Sequence, residues 1–214
     1  MENYSGRISF SGDLNLSQVT INATSLTSLD DKKTQQMITI FNKYGWVMLE
    51  LSDKISPRKN LLAIREYFGN TIHHNCSDMD GVTIVQDNIE NRSLFKSQGN
   101  AAHPLHTGGT AINNPPKVVA LYCVNPARSG GLTQIMSSKY IFDYLQDTNP
   151  QGLRELTKRD AVIYKRGNER AQKAVFDLQD NGRYFMSFRY DDVAEVIIKR
   201  DAKAVFKQIV DFRN

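Results

Sequence analysis

His103-Pro104-Leu105-His106-Thr107-Gly108-Gly109-Thr110, followed by Pro115-Pro116-Lys117-Val118-Val119-Ala120-Leu121-Tyr122-Cys123 and then Gly130-Gly131-Leu132-Thr133, is the stretch on which the reading of this chain turns. In an extended segment, side chains two apart project to one side, so His106 and position 108 share a face. Pro115-Pro116 leads into residues 118–124, the most apolar run in the chain, which reads as a buried strand. Gly130-Gly131 marks a turn into a further strand at Leu132-Thr133-Gln134-Ile135-Met136.

The surrounding sequence supplies helices and short strands. Upstream, residues 87–116 form a long polar stretch, a length usually reserved for functional or mobile loops. Val82-Thr83-Ile84-Val85 reads as a strand before it. Pro57 fits the first turn of a helix with Leu61, Leu62, Ile64, Tyr67 and Phe68 on its apolar face, stopped by Gly69. Trp46 to Leu51 reads as a strand, with Trp46 in the core. Asp30-Asp31 caps a helix over 32–44 that presents Met37, Ile38, Ile40 and Phe41 and ends at Gly45. Residues 1–30 are an arm or edge strand, with an alternating piece at 7–11. Downstream, helices are expected at 138–146 and 150–158, and strands at 161–164 and 174–178. Asn181-Gly182 signals a hairpin into Tyr184–Tyr190, and a last helix spans 201–212. Such a succession fits a distorted antiparallel barrel or jelly roll with flanking helices, here taken as one domain over 31–214.

Bulk properties narrow the classes. The chain has 214 residues, enough for one core without disulfides or a structural metal. The net charge of +4 is spread along the sequence rather than gathered in a basic stripe, so no nucleic-acid partner is expected. It is compatible with an anionic small molecule or a carrier surface. No apolar run approaches the roughly 20 residues that span a bilayer, and Met1-Glu2-Asn3-Tyr4-Ser5 lacks the pattern of a secretory signal. Cys76 and Cys123 are too few for a disulfide framework, so a cytoplasmic setting with reduced thiols is expected, Cys123 being read as a core thiol. Self-association into a homo-oligomer is left open.

The quoted stretch resembles the TauD/TfdA and clavaminate-synthase-like family of iron(II)/2-oxoglutarate oxygenases. There a His-Thr-Asp/Glu motif is followed by a Pro-Pro apolar strand and a Gly-Gly-x-Thr element. Tyr44-Gly45-Trp46-Val47-Met48-Leu49 and Tyr67-Phe68-Gly69 look like the family's opening elements, and the resemblance covers roughly residues 35–192. It implies an α+β, mainly β fold: a double-stranded β-helix (cupin-like jelly roll) with flanking helices. Its cofactors would be Fe(II), 2-oxoglutarate and O2, and its substrate a small molecule. Such sites hold iron through two histidines and one carboxylate on one face. Carried over, His106 is the first iron ligand, Gly108 occupies the carboxylate position, and Thr133 binds a 2-oxoglutarate carboxylate.

Two departures follow. Gly108 has no side chain with which to ligate. In related halogenases a small residue at this position opens a site for chloride, which restores the missing negative charge. No histidine follows His106. The family's second histidine, and the arginine that pairs with 2-oxoglutarate, are therefore expected in a C-terminal part beyond Asn214 that also carries the closing strands.

The leading expectation is a radical halogenase acting on an unactivated carbon of an amino acid, a nucleotide or a carrier-bound acyl group. A hydroxylase with water or a substrate group in the vacant position is the second reading, and a non-catalytic binding subunit the third. Arg189 is a candidate for gripping a substrate carboxylate or phosphate, with a solvated strand arginine as the plain alternative. Gln86 and Asn88 are cleft candidates or simply a polar strand end. Gly108 also has a plain reading as a turn glycine. His103, with His106, forms a His-x-x-His pair that can in principle hold zinc, although a polar loop residue is the simpler account. His73-His74 reads as a solvated turn.

Overall fold

The computed structural model describes residues 15–74, 77–86, 102–180 and 182–212. The chain divides into two compact units, Met1–Val82 with Val118–Ser137, and Thr83–Lys117 with Ser138–Asn214. The arm at 7–11, Cys76 and Asn88 lie outside the described residues.

The first unit is built on a strand–helix–strand crossover. β1 (Thr20–Ala23) and β2 (Met48–Leu51) pair in parallel, with Thr20 opposite Met48 and Ala23 opposite Leu51. Parallel strands cannot be joined by a tight turn, and α1 (Asp31–Tyr44) makes the return. The ends of α1 are those the sequence indicates. The Asp30 carboxylate accepts from Lys33 N–H at 2.7 Å, and Gly45 closes the helix at φ 79°, a left-handed conformation that favours glycine. Val19, Ile21, Met37 and Ile40 form the core, with Trp46, Leu49, Tyr67 and Phe68 packed around it. The second helical segment is interrupted, running as α2 (Pro57–Ala63) and α3 (Arg65–Phe68), and Gly69 follows it at φ 90°. Asn60 on α2 is fully buried, and its side-chain oxygen accepts from Ser25 Oγ at 2.6 Å and Leu26 N–H at 2.8 Å. That buried amide fixes α2 against the turn after β1, because leaving its oxygen without a donor would carry the full desolvation penalty.

Four expectations about strands and burial do not hold. Residues 82–85 form no strand, and neither does the apolar run 118–124, in which Val119 is 64% and Leu121 75% exposed. Residues 132–136 contain an isolated bridge at Gln134 and no strand. Cys123, read as a core thiol, is exposed. Apolar composition records a preference for burial, whereas a strand needs a hydrogen-bonded neighbour, and composition does not provide one.

The second unit holds the antiparallel sheets. β3 (Val162–Arg166) is central, flanked by β4 (Glu169–Lys173) and β7 (Glu195–Ile198). β5 (Phe176–Leu178) and β6 (Tyr184–Met186) form the hairpin signalled by Asn181-Gly182, with Gly182 at φ 76°. α4 (Ser138–Thr148), α5 (Pro150–Leu156) and α6 (Lys203–Phe212) contribute the apolar faces of Ile141, Leu145, Leu153, Leu156, Val205, Phe206 and Ile209. Phe142 of α4 packs with Phe176 and Tyr184 of the hairpin as one aromatic group. Among the described residues more lie in helices than in strands, so the structure is mixed α and β rather than mainly β.

Candidate active site

The His106 segment is fixed to the second unit by its own backbone and by the threonine beside it. Thr107 N–H donates to Phe188 O at 2.8 Å, and Phe188 N–H donates to the Thr107 hydroxyl oxygen at 2.9 Å. Residues 187–191 are themselves anchored: Ser187 N–H donates to Val175 O at 2.8 Å, and the buried Tyr164 hydroxyl donates to Ser187 O at 2.9 Å. The Phe188 ring lies against Phe206 of α6, centroids 5.1 Å apart. The threonine inside the motif therefore orders the histidine next to it.

Gly109 turns the segment back. It has φ 66°, and a Cβ placed there would lie 2.8 Å from Pro115 Cβ and 3.0 Å from Pro116 Cδ. The Pro-Pro pair thus packs on a backbone that tolerates no side chain. Lys173 from β4 reaches across and donates to Gly109 O at 3.3 Å; burial lowers its ammonium below the ordinary lysine range.

His106 is half-buried, with Nδ1 2.8 Å from Pro104 O. A carbonyl accepts only, so Nδ1 carries the proton and Nε2 presents the lone pair, the tautomer a metal-binding imidazole uses. Burial, with help from Arg189 and Arg166, pushes the His106 pKa below its usual value, against the raising effects of Pro104 O and Asp191. The neutral ring is the one that can ligate. The His103 ring stacks on His106, with centroids 4.0 Å apart and 28° between planes.

Arg189 is buried rather than solvated, its side chain 8% exposed. Its Nη1 lies 3.4 Å from Oδ2 of Asp191, whose side chain is 2% exposed. Burial lowers the Arg189 pKa, and Asp191 opposes that shift. Asp191 Oδ1 accepts from Val193 N–H at 3.1 Å, whereas Oδ2 is buried with no hydrogen-bond partner and stands 4.0 Å from His103 Nε2. The structure thus brings His103, His106, Arg189 and Asp191 together. Sequence reasoning misses Asp191; the signal that could find it is its place two residues after Arg189, on the same side of an extended segment. Gln86 is exposed, His73 sits exposed beside a turn in which His74 and Ser77 bond to each other, and Thr133 is exposed in the first unit.

The sequence has counterparts among known proteins. The family model described as taurine catabolism dioxygenase TauD, TfdA family matches residues 10–211. The chain belongs to the TauD/TfdA family. Within the curated proteins, its relatives include the gamma-butyrobetaine dioxygenases of Homo sapiens and Pongo abelii, each 25% identical over 142 residues. The matched stretch covers 61% of this chain and 36% of each of those proteins, so the chain spans well under half the length of the curated relatives it matches. No solved structure matches. Membership of the TauD/TfdA family implies Fe(II), 2-oxoglutarate and O2 as cofactor and co-substrates. Among the described residues, however, no group of three or more His, Cys, Asp or Glu side chains could hold a metal ion. His106 fits as a single imidazole ligand in the correct tautomer; these residues do not make a whole iron site. Among the described residues no helix is long and apolar enough to cross a membrane.

Proposed function

We propose that this chain carries the substrate-facing part of an iron(II)/2-oxoglutarate oxygenase in which Gly108 vacates the carboxylate position, leaving room for a halide and making the enzyme a halogenase of a small metabolite. The chain's match to the TauD/TfdA family supports the oxygenase class. The observation that carries the finer reading is backbone conformation. Among the described glycines a positive φ is recorded for Gly109 and not for Gly108, so the turn accounts for the second glycine of the pair and leaves the first unexplained. A φ outside the left-handed region does not by itself demand glycine, and in this reading the glycine removes a charge rather than solving a folding problem.

In this reading the chain's own residues bind and orient. His106 offers Nε2, Thr107 and Pro104 fix its plane, and Arg189 with Asp191 places polar groups of the substrate beside it. The bound cofactor and co-substrate supply the oxidising chemistry. The remaining iron ligands come from outside the described residues, as do the strands that would complete a jelly roll.

The test is turnover by the intact gene product with iron, 2-oxoglutarate, oxygen and chloride. A chlorinated product is expected, and Gly108→Asp should abolish it. Hydroxylation that persists in excess chloride, and is kept or raised by Gly108→Asp, would instead establish a hydroxylase. Failure to develop the visible charge-transfer band on adding Fe(II) and 2-oxoglutarate under nitrogen would point to a binding subunit.

A further inference from the structure

We infer that the Arg189–Asp191 pair is a recognition site for a zwitterion with a primary ammonium group, an α-amino acid or a close analogue, bound beside the His103–His106 stack. The inference deepens the oxygenase reading and rests on it for the reaction alone; the binding argument stands on geometry.

Two groups of opposite charge are buried side by side without closing on each other. A charge-assisted bond between a guanidinium and a carboxylate runs about 2.7–2.9 Å, yet Arg189 Nη1 stands 3.4 Å from Asp191 Oδ2. That oxygen is buried and has no hydrogen-bond partner. Buried polar atoms are almost always bonded, and an orphan oxygen aimed among polar side chains signals a missing donor. Asp191 Oδ1 is separately occupied by Val193 N–H, so Oδ2 is the oxygen left for a ligand. In this inference a ligand reaches Oδ2 by displacing the His103 ring, whose Nε2 stands 4.0 Å away.

The charges select the ligand. A simple anion drawn to Arg189 would face the Asp191 carboxylate one contact away. A simple cation drawn to Asp191 would face Arg189. A ligand carrying both signs a few ångströms apart meets Arg189 and Asp191 each with its opposite, the condition for burying charge without a large penalty, while Arg166 adds a further positive charge near Arg189. A quaternary ammonium carries the charge but no N–H, and so leaves Oδ2 an orphan. Sites built to hydrogen-bond a substrate N–H discriminate strongly against analogues that lack it. The expectation of an anionic substrate gripped by Arg189 is thereby narrowed to one in which the anion is half of the ligand.

The experiment is ligand binding to the metal-free 214-residue chain by saturation-transfer NMR with competition. The twenty proteinogenic L-amino acids are screened singly. The tightest is then compared with its deaminated acid, its decarboxylated amine and its N,N,N-trimethyl betaine. The parent amino acid should bind at least about tenfold more tightly than each of the three. Asp191→Asn should remove most of that advantage by weakening the parent amino acid and tightening the deaminated acid, which no longer faces a carboxylate. Binding of no amino acid, or equal binding of the betaine or the deaminated acid, overturns the inference on the wild-type protein alone, whether or not the variant folds. An amino acid that binds but is not turned over by the loaded enzyme removes the oxygenase reading and leaves this one. Turnover of a metabolite lacking either charge does the reverse.

Discussion

Thr107→Val tests the hydrogen bond that holds the motif in place. The substitution preserves β-branching and the Thr107 N–H to Phe188 O bond, but removes the acceptor for Phe188 N–H, now 2.9 Å away. Phe188 is 4% exposed, so water has little access to replace the lost acceptor. Leaving a buried donor unsatisfied costs about 1–3 kcal/mol. A methyl in place of the hydroxyl regains at most about 0.8 kcal/mol, and roughly half of that at this half-buried position. The net loss is about 1–2 kcal/mol, a factor of about 5–30 in the local opening equilibrium. Because the chain forms two compact units, a single global midpoint is a poor monitor. Native-state hydrogen exchange at the Phe188 amide reads the bond directly, and should be about 5–30-fold faster in Thr107→Val and unchanged in Thr107→Ser. Exchange at that amide within about twofold of wild type in the valine variant would refute the hydroxyl as the acceptor, and with it the account of how His106 is positioned.

The glycine pair separates by substitution. Gly109→Ala puts a Cβ against Pro115 on a backbone with φ 66° and should lose at least about 1–2 kcal/mol by urea titration, whereas Gly108→Ala should stay within about 0.5 kcal/mol; similar losses at both would remove the argument that Gly108 is not a turn residue. His106 should titrate below 6.5 in the metal-free chain, followed by its ring protons in NMR, since burial disfavours the imidazolium. The unfolded chain takes up this proton first, so the contribution of His106 to stability is flat above pH 6.5 and declines as pH falls from there to the lower folded value; His106→Asn should lose that slope, and a midpoint at or above 6.5 contradicts the burial described.

Much of the local structure is written in single residues. Asp30 and Gly45 bound α1, Gly69 stops the helix after Pro57, and Asn181-Gly182 marks the β5–β6 hairpin, because caps and positive-φ turns depend on a few neighbouring atoms. The motif around His106 is legible for a similar reason, chemistry placing distinctive residue types at short spacing. β4 is not legible: Glu169-Arg170-Ala171-Gln172-Lys173 is polar and becomes a strand because β3 offers it a ladder across the Gly167-Asn168 turn. β1 and β7 escape sequence reading likewise, each stabilised by a partner distant in sequence.

The sequence by itself determined the motif around His106, the glycine at position 108, and the capped helices, since each depends on residue identity and near neighbours. Only the tertiary structure decided that Arg189 is buried, that Asp191 faces it with an unsatisfied oxygen, that Lys173 supports Gly109, and that residues 118–124 form no strand. Those facts concern pairs far apart along the chain or the presence of a hydrogen-bonding neighbour. Desolvation and strand pairing depend on what surrounds a residue, and one-dimensional patterning does not carry that information.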